Sequence, residues 1–266
     1  MNRIRILSVK DVVPSQSRPY IVMGEDFEVY YCKFAVGSCD EVDLYYEYVC
    51  KSVGTLLGLP IPDASLMEYE PDLFVEQFPI LGSSLLGFGS KEIRPNQILA
   101  EKTDFINNKH DFNRISNPEA LIKIGIFDLH FKNMDRSDAN FNLIRSTGTA
   151  EPSKIYAIDH VQCFGGDAYK DSLHPVREDS IGANILRTDY GTAICRYLGY
   201  EDLSAILIEY FNTFNREKDS IVERLNESPS DWGISDSLKH RVETFVFDSS
   251  RNESIMEEMK AYFTHF

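Results

Sequence analysis

The spacing of apolar residues changes near residue 78, and this change constrains the fold more than any other feature of the sequence. Before it, short runs rich in β-branched and aromatic residues alternate with polar breaks, and residues 4–34 are typical of an antiparallel meander. After it, apolar residues recur at the spacing typical of helices. We therefore predict an α+β chain, with a sheet in residues 1–78 and a mainly helical part in residues 79–266.

One helix is expected within the first part. The segment that starts at Asp40 opens with acidic residues suited to a helix N-terminus and then places apolar residues on one helical face. Gly58 should end this helix, because Pro60 and Pro62 exclude its continuation. Alternating apolar residues then return, which predicts a loop and two more short strands before residue 78.

In the second part the sequence predicts helices with one interruption. Periodic apolar residues place the helices at 95–106, 117–131, 184–198, 201–225 and 235–262. Two short strand-like runs, FNLI and KIYAI, lie at 141–144 and 154–158 with a polar loop between them, and they predict a hairpin. Because this hairpin breaks a series of helices, we expect the chemistry of the protein to lie close to it.

Charge and composition exclude several classes of protein. The 27 basic and 42 acidic residues give a formal charge of −15, which disfavours nonspecific binding to nucleic acid or to anionic membranes. The sequence has no run of about 18 apolar residues, which is the length that a transmembrane helix needs. Charges near the start interrupt any export signal. The five cysteines are scattered without a CxxC pair, so reduced thiols are expected. These features predict a cytoplasmic protein with no direct nucleic-acid or membrane partner.

Three polar residues around the predicted hairpin are of the types, and in the order, that phosphoryl transfer requires. Asp135 is followed five residues later by Asn140, and Asp159 comes directly after the second strand-like run. In such an arrangement Asp135 would accept the proton of an attacking hydroxyl. The oxygens of Asn140 and Asp159 would hold Mg²⁺ against nucleotide phosphates. The alternative is a polar turn after a helix, since Asp, Ser and Asn favour turns for local hydrogen-bonding reasons.

Two charged residues in the first part support the chemical interpretation. Lys33 lies in an apolar strand, on the face opposite Cys32, where a cation needs a partner. Glu47, in the middle of the predicted helix, could supply that partner. A strand lysine paired with a helix glutamate positions nucleotide phosphates in protein kinases. Taken singly, each residue is also common on a solvated surface.

With these residues the chain resembles the HipA-like kinases, and especially their small stand-alone members. The resemblance covers most of the chain and rests on five stretches: SRPYIVMGEDFEVYYCKF, LGLPIPDASL, FGS at 88–90, FDLHFKNMDRSDANFNLI and YAIDHVQCFGG. It implies a two-lobed, protein-kinase-like fold that binds ATP and Mg²⁺. It further implies that Lys33 contacts the phosphates, that Asp135 is the catalytic base, and that Asn140 and Asp159 are metal ligands.

The remaining nucleotide contacts follow from the same resemblance. The loop at 14–18 is not glycine-rich, so its amides and the hydroxyls of Ser15 and Ser17 would cradle the phosphates. The segment containing Glu76 and Phe78 lies where a hinge would meet adenine, although an ordinary core strand is an equal alternative. Inactivating autophosphorylation of Ser15 or Ser17 is a further expectation, against the simpler interpretation of a surface turn.

The sequence does not determine which molecule accepts the phosphate. We expect a protein serine or threonine, but the order of residues after Asp135 also resembles lipid kinases, and a small-molecule kinase or a non-catalytic nucleotide-binding module are alternatives. Residues Asn133 and His160 replace the His and Phe that ordinary protein kinases have near the two aspartates. The chain resembles the kinase core alone, which leaves a toxin role and an antitoxin-like partner as possibilities.

Overall fold

We analysed a computed structural model of the 266-residue chain. The structure describes residues 1–15, 18–70, 85–99, 106–133, 135–138, 140–147, 152–169, 182 and 184–266. Within these ranges, the helices are all too short or too polar to span a membrane.

The first part is a closed five-stranded barrel. Around the barrel the strand order is β1-β2-β3-β5-β4, with β1 and β4 parallel and every other pair antiparallel. The strands are β1 (Arg3–Val12), β2 (Tyr20–Gly24), β3 (Val29–Lys33), β4 (Ala64–Tyr69) and β5 (Leu85–Lys91). The predicted meander is thus present as β1 to β3. The barrel also includes β5, which lies beyond residue 78 and pairs with both β3 and β4.

Close backbone contact brings β5 against the end of β3. A Cβ atom on Gly87 would lie 2.6 Å from the carbonyl oxygen of Lys33, so only glycine fits there without a shift. Apolar side chains fill the barrel interior, among them Ile6, Val22 and Met67. Lys33 therefore sits at the end of a strand whose position is fixed on both sides.

Helix α1 (Glu41–Leu56) follows β3 and confirms the prediction for this segment. Its N-terminus is closed by a reciprocal pair of bonds, in which the Asp40 carboxylate accepts from the Asp43 amide at 3.0 Å and Asp43 accepts from the Asp40 amide at 3.0 Å. Gly58 lies just beyond the end, in the left-handed region at φ 73°. Most of the helix is buried, because it packs against both the barrel and the helical part.

The second part is mainly helical, as predicted, with a small sheet. The elements are β6 (Asn96–Ile98), α2 (Lys109–Asn113), α3 (Pro118–His130), β7 (Leu143–Ser146), β8 (Ile155–Ala157), α4 (Asp189–Arg216), α5 (Lys218–Asn226), α6 (Asp236–Val246) and α7 (Ser249–Phe263). Strands β7 and β8 form the predicted hairpin. Helix α3 lies at the centre, in contact with α4 and α7.

The predicted helix at 95–106 is wrong where the structure describes it. Residues Asn96–Ile98 form β6, which pairs antiparallel with β7 and turns the hairpin into a three-stranded sheet. A short apolar segment after a proline fits either a strand or a helix start, and here pairing with the edge of β7 decides the outcome.

The long C-terminal helices are shorter than predicted. The predicted helix 201–225 is interrupted at Glu217, and 235–262 is interrupted at Phe247 and Asp248. Asp248 caps α7 by accepting a hydrogen bond from the amide of Arg251 at 2.7 Å. Apolar residues recur at helical spacing on both sides of this break, so the sequence pattern hid it. Within α4 the backbone of Gly199 is non-helical, at φ 79° and ψ 167°, so the helix is kinked at the gap that the sequence predicted between 198 and 201.

A buried histidine lies at the end of α3. The Nε2 atom of His130 lies 3.1 Å from the carbonyl oxygen of Val246, and Nδ1 lies 3.1 Å from the hydroxyl of Tyr210. Because a carbonyl only accepts, Nε2 carries the proton and Nδ1 accepts from Tyr210. Burial, assisted by the nearby Arg251 charge, lowers the pKa of His130 to about 3. The imidazole is therefore neutral in the folded protein near pH 7.

This buried imidazole should make stability depend on pH. The unfolded chain binds a proton at His130 near the ordinary pKa of 6.5, and the folded chain does so only near pH 3. The free energy of unfolding should therefore fall as the pH drops below 6.5, by at most about 1.4 kcal/mol per pH unit from this residue. Urea unfolding at pH 7, 6 and 5 measures the slope. His130→Gln should flatten it, whereas His240→Gln, at an exposed site, should not. Identical slopes for wild type and His130→Gln would contradict this assignment.

Candidate active site

Three separate elements bring charged side chains together around Lys33. The Nζ atom of Lys33, at the end of β3, donates to Glu47 Oε1 of α1 at 2.6 Å and to Asp159 Oδ1, just after β8, at 2.8 Å. The predicted contact between Lys33 and Glu47 is therefore present. Asp159, which the sequence places near the same site, is in direct contact with the amine.

Mutual attraction keeps these groups charged despite their burial. Burial alone would lower the pKa of Lys33, but the charges of Asp159 and Glu47 outweigh it and raise that pKa. Burial would likewise raise the pKa of Glu47, yet the charge of Lys33 lowers it to about 2. At neutral pH the site is thus a cation between two carboxylates.

Asp159 differs from its partners in backbone conformation and exposure. Its φ of 58° lies in the left-handed region, which is unusual for a residue other than glycine and is often found at functional sites. Its side chain is 28% exposed, compared with 9% for Lys33 and 5% for Glu47. Part of this carboxylate is therefore open to a ligand.

A cavity of about 220 Å³ adjoins these groups. Lys33, Glu47 and Asp159 line it together with three further charged residues, Lys51, Lys91 and Glu92, and much of the remaining lining is apolar: Val13, Pro19, Ile61, Pro62, Phe88, Ile98, Ile144 and Ile158. An apolar cavity with a few convergent polar groups is the usual form of a small-molecule site. Ser15, predicted to contact a ligand, also lines it, whereas Ser17, Glu76 and Phe78 lie outside the described residues.

Asp135 is held by neighbouring amides. One of its carboxylate oxygens, Oδ2, accepts from Asn140 Nδ2 at 2.9 Å and from Asn142 Nδ2 at 2.7 Å. Its backbone amide donates to the side-chain oxygen of Asn133 at 3.2 Å. These contacts fix the carboxylate, and its other oxygen accepts no hydrogen bond from the described residues, as a group that accepts a proton requires.

A fully buried arginine holds the loop that carries Asp135. Arg136 donates from Nε to Asp128 Oδ2 of α3 at 2.9 Å, and its Nη atoms donate to the carbonyl oxygens of Phe141, Asn142 and Ile158. Asn133 donates to the other oxygen of Asp128 at 3.0 Å. One guanidinium thereby ties α3, the Asp135 loop and the strand before Asp159 together.

Asp159, which lines the cavity, and Asn140, which contacts Asp135, carry oxygen donors of the kind that a hard divalent cation prefers. Asp159 offers a partly open carboxylate, and the amide nitrogen of Asn140 is used by Asp135, so its oxygen is the atom left for a metal. The described residues contain no cluster of three or more His, Cys, Asp or Glu that could hold a metal by itself. Mg²⁺ commonly binds through one or two protein ligands and completes its shell with phosphates and water, which fits this set.

Several supporting residues were not among the predicted site residues. Asp128 is a buried acid in a helix whose other buried residues are mostly apolar, and Arg136 and Asn142 lie close in the chain to the predicted residues Asp135 and Asn140. A charged residue in an apolar helix face was an available signal, because it needs a buried partner. Asn142 carried no such signal, since a polar residue before a strand is common.

Comparisons with known proteins identify a family and a shared fold. A profile of the family described as HipA-like kinase matches residues 7–180, which is more than half of the chain. The solved structure of a Helicobacter pylori proinflammatory kinase, CtkA, is 12% identical with a TM-score of 0.59, covering 100% of this chain and 98% of that one. A Golgi casein kinase is 11% identical with a TM-score of 0.52, covering 99% and 73%. No curated protein matches significantly. At these identities the structural similarity shows a shared fold.

The buried pair of Arg136 and Asp128 should be the most sensitive part of the site to substitution. Asp128→Ala leaves a guanidinium buried without a countercharge, which should lower the free energy of unfolding by about 3–5 kcal/mol. Asp128→Asn keeps the volume and one acceptor, so it should cost less. Asp138→Ala, at an exposed position of the same loop, should change stability by under about 0.5 kcal/mol. Urea unfolding measures all three, and an Asp128→Ala protein within about 1 kcal/mol of wild type would contradict the assignment.

Proposed function

The chain belongs to the HipA-like kinase family, and on that premise we propose that it is an ATP- and Mg²⁺-dependent kinase that phosphorylates a serine or threonine hydroxyl of a protein. The observation that carries the proposal is the buried Lys33 amine, shared by Glu47 and Asp159 in the lining of a largely apolar cavity. A fixed cation of this kind complements the negative phosphates of a nucleotide, and the apolar lining complements its base.

The proposed fold has two lobes with the nucleotide between them. The barrel with α1 would form the first lobe and contribute Lys33, Glu47 and Ser15, and the helical part would contribute Asp135 and Asp159. The cavity is lined by residues of both parts, which supports this arrangement. Ser17, Glu76 and Phe78 stay predicted nucleotide contacts.

Each polar residue then has a distinct role. Lys33, oriented by Glu47, would bind the nucleotide phosphates. Asn140 and Asp159 would hold Mg²⁺, whose positive charge would offset the negative charge of the phosphate that is transferred. Asp135, with one oxygen held by Asn140 and Asn142, would orient the acceptor hydroxyl and take its proton. All of these residues are present, which favours a catalytic protein over a non-catalytic nucleotide-binding module.

The acceptor can be identified by incubating the protein with labelled ATP and Mg²⁺, with and without a cell lysate. Mass spectrometry of the products should find phosphoserine or phosphothreonine in a lysate protein. Label in a small molecule or lipid would instead place the chain among small-molecule or lipid kinases. Nucleotide binding without transfer to any lysate fraction would favour the non-catalytic alternative.

Substitution of the two aspartates should separate their roles. Asp135→Ala and Asp159→Ala should each reduce phosphate transfer by at least about 100-fold without unfolding the protein, because both carboxylates are only partly buried. Only Asp159→Ala should also lose the Mg²⁺-dependent part of nucleotide affinity, since Asp159 is the proposed metal ligand. Transfer rates and calorimetric titration with ADP measure the two effects.

The matched control for this pair is Asp138→Ala, an exposed aspartate of the same loop, which should transfer phosphate at the wild-type rate. Equal transfer rates for wild type and Asp135→Ala would show that Asp135 is not the base. An Asp159→Ala protein that keeps its Mg²⁺ dependence would remove Asp159 as a metal ligand.

A further inference from the structure

A buried histidine joins the Lys33 site to the Arg136 site. His160 directly follows Asp159 and is 1% exposed. Its Nδ1 atom lies 3.5 Å from Glu47 Oε2, and its Nε2 atom lies 3.4 Å from an Nη atom of Arg136. The ring also contacts Phe127 edge to face, with centroids 6.2 Å apart. Its position is therefore fixed on several sides.

The neighbours of His160 determine which nitrogen carries the proton. Arginine can only donate hydrogen bonds, so the Nε2 atom that faces Arg136 must accept. The proton is then on Nδ1, which faces the second carboxylate oxygen of Glu47 at 3.5 Å. The first oxygen of Glu47 accepts from Lys33 at 2.6 Å. Lys33 and His160 thus each face a different oxygen of one carboxylate.

This contact completes a continuous polar chain through the site. From Lys33 it runs to Glu47, His160 and Arg136, and it ends at Asp128 of α3. Arg136 is the residue next to Asp135, and its guanidinium also binds the carbonyl oxygen of Ile158, just before Asp159. The chain therefore connects the strand that carries Lys33 to the loop that carries Asp135.

The carboxylate of Glu47 needs a second partner to stay in this orientation. Its terminal torsion is broad, so a single bond to Lys33 leaves the group free to turn. Lys33 has another carboxylate at 2.8 Å, that of Asp159. If Glu47 turned away, Lys33 would remain with Asp159 alone, and both the amine and the proposed metal ligand would lose their arrangement.

We propose that His160 is a positioning residue that locks the Glu47 carboxylate onto Lys33 and couples this pair to the Arg136 loop. The inference rests on the proposed function for its effect on phosphate transfer, but not for its effect on the geometry. His160 also lines the cavity beside Asp159. It acts through Glu47.

Two isosteric variants separate positioning from simple packing. In His160→Asn the amide nitrogen can replace Nδ1 and donate to Glu47, whereas in His160→Gln the amide oxygen can replace Nε2 and accept from Arg136. Both leave one buried group without its partner, so both should lose stability to a similar extent. Only His160→Gln should release Glu47.

The test combines crystal structures, urea unfolding and kinetics for wild type and both variants. We expect Glu47 to remain on Lys33 in His160→Asn and to turn away in His160→Gln. The kcat of His160→Gln should fall by about 10- to 100-fold with a smaller change in the KM for ATP, because a misplaced group weakens stabilisation of the transition state more than it weakens ATP binding. The kcat of His160→Asn should stay closer to that of wild type.

A double-variant comparison adds a second readout. If His160 acts through Glu47, His160→Gln should have almost no further effect on kcat in a Glu47→Ala background. An unchanged contact between Lys33 and Glu47 in both variants, with activity that follows only their stability, would overturn the proposal. If wild type transfers no phosphate, the proposed function fails, and the crystal structures alone decide whether His160 holds Glu47.

Discussion

The ion pairs of Lys33 are the interaction on which the arrangement of this protein depends. Burying an ammonium group lowers the stability of the folded protein unless carboxylates contact it. Here Glu47 of α1 and Asp159, after β8, lie 2.6 and 2.8 Å from Lys33 Nζ. The barrel and the helical part must therefore lie close together at this point. A second contact, from the indole nitrogen of Trp232 to the carbonyl oxygen of Leu86 at 2.8 Å, joins the same two parts elsewhere.

Around these ion pairs, the partly buried and the fully buried polar residues have different roles. Asp135 and Asp159, the groups proposed to contact acceptor and metal, are only partly buried, whereas Arg136, Asp128 and His160 are almost completely enclosed. Burial makes the supporting bonds strong and leaves these side chains few alternative positions. This rigid set of buried side chains holds the reactive groups in place while they remain accessible to a ligand.

Much of this arrangement could be predicted from the sequence, because it depends on residues that are unusual for their local setting. A lysine in an apolar strand needs a carboxylate, so its contact with Glu47 was predictable. The order of Asp135, Asn140 and Asp159 around the predicted hairpin singled out these three residues, and the family resemblance added to that interpretation. Two kinds of feature were not predictable. Helix ends at Glu217 and Asp248 were hidden by continuous apolar periodicity, and β6 depends on pairing with a strand about 50 residues away. The contacts of His160 depend on three elements that meet only in the folded chain.

The central claim is that the Lys33 site binds the phosphates of a nucleotide. A crystal structure of the protein with Mg²⁺ and a non-hydrolysable ATP analogue tests it most directly. We expect a phosphate oxygen within about 3 Å of Lys33 Nζ, with the metal on Asp159 and the base in the apolar cavity. Nucleotide bound elsewhere, or no binding at millimolar concentration, would contradict the account.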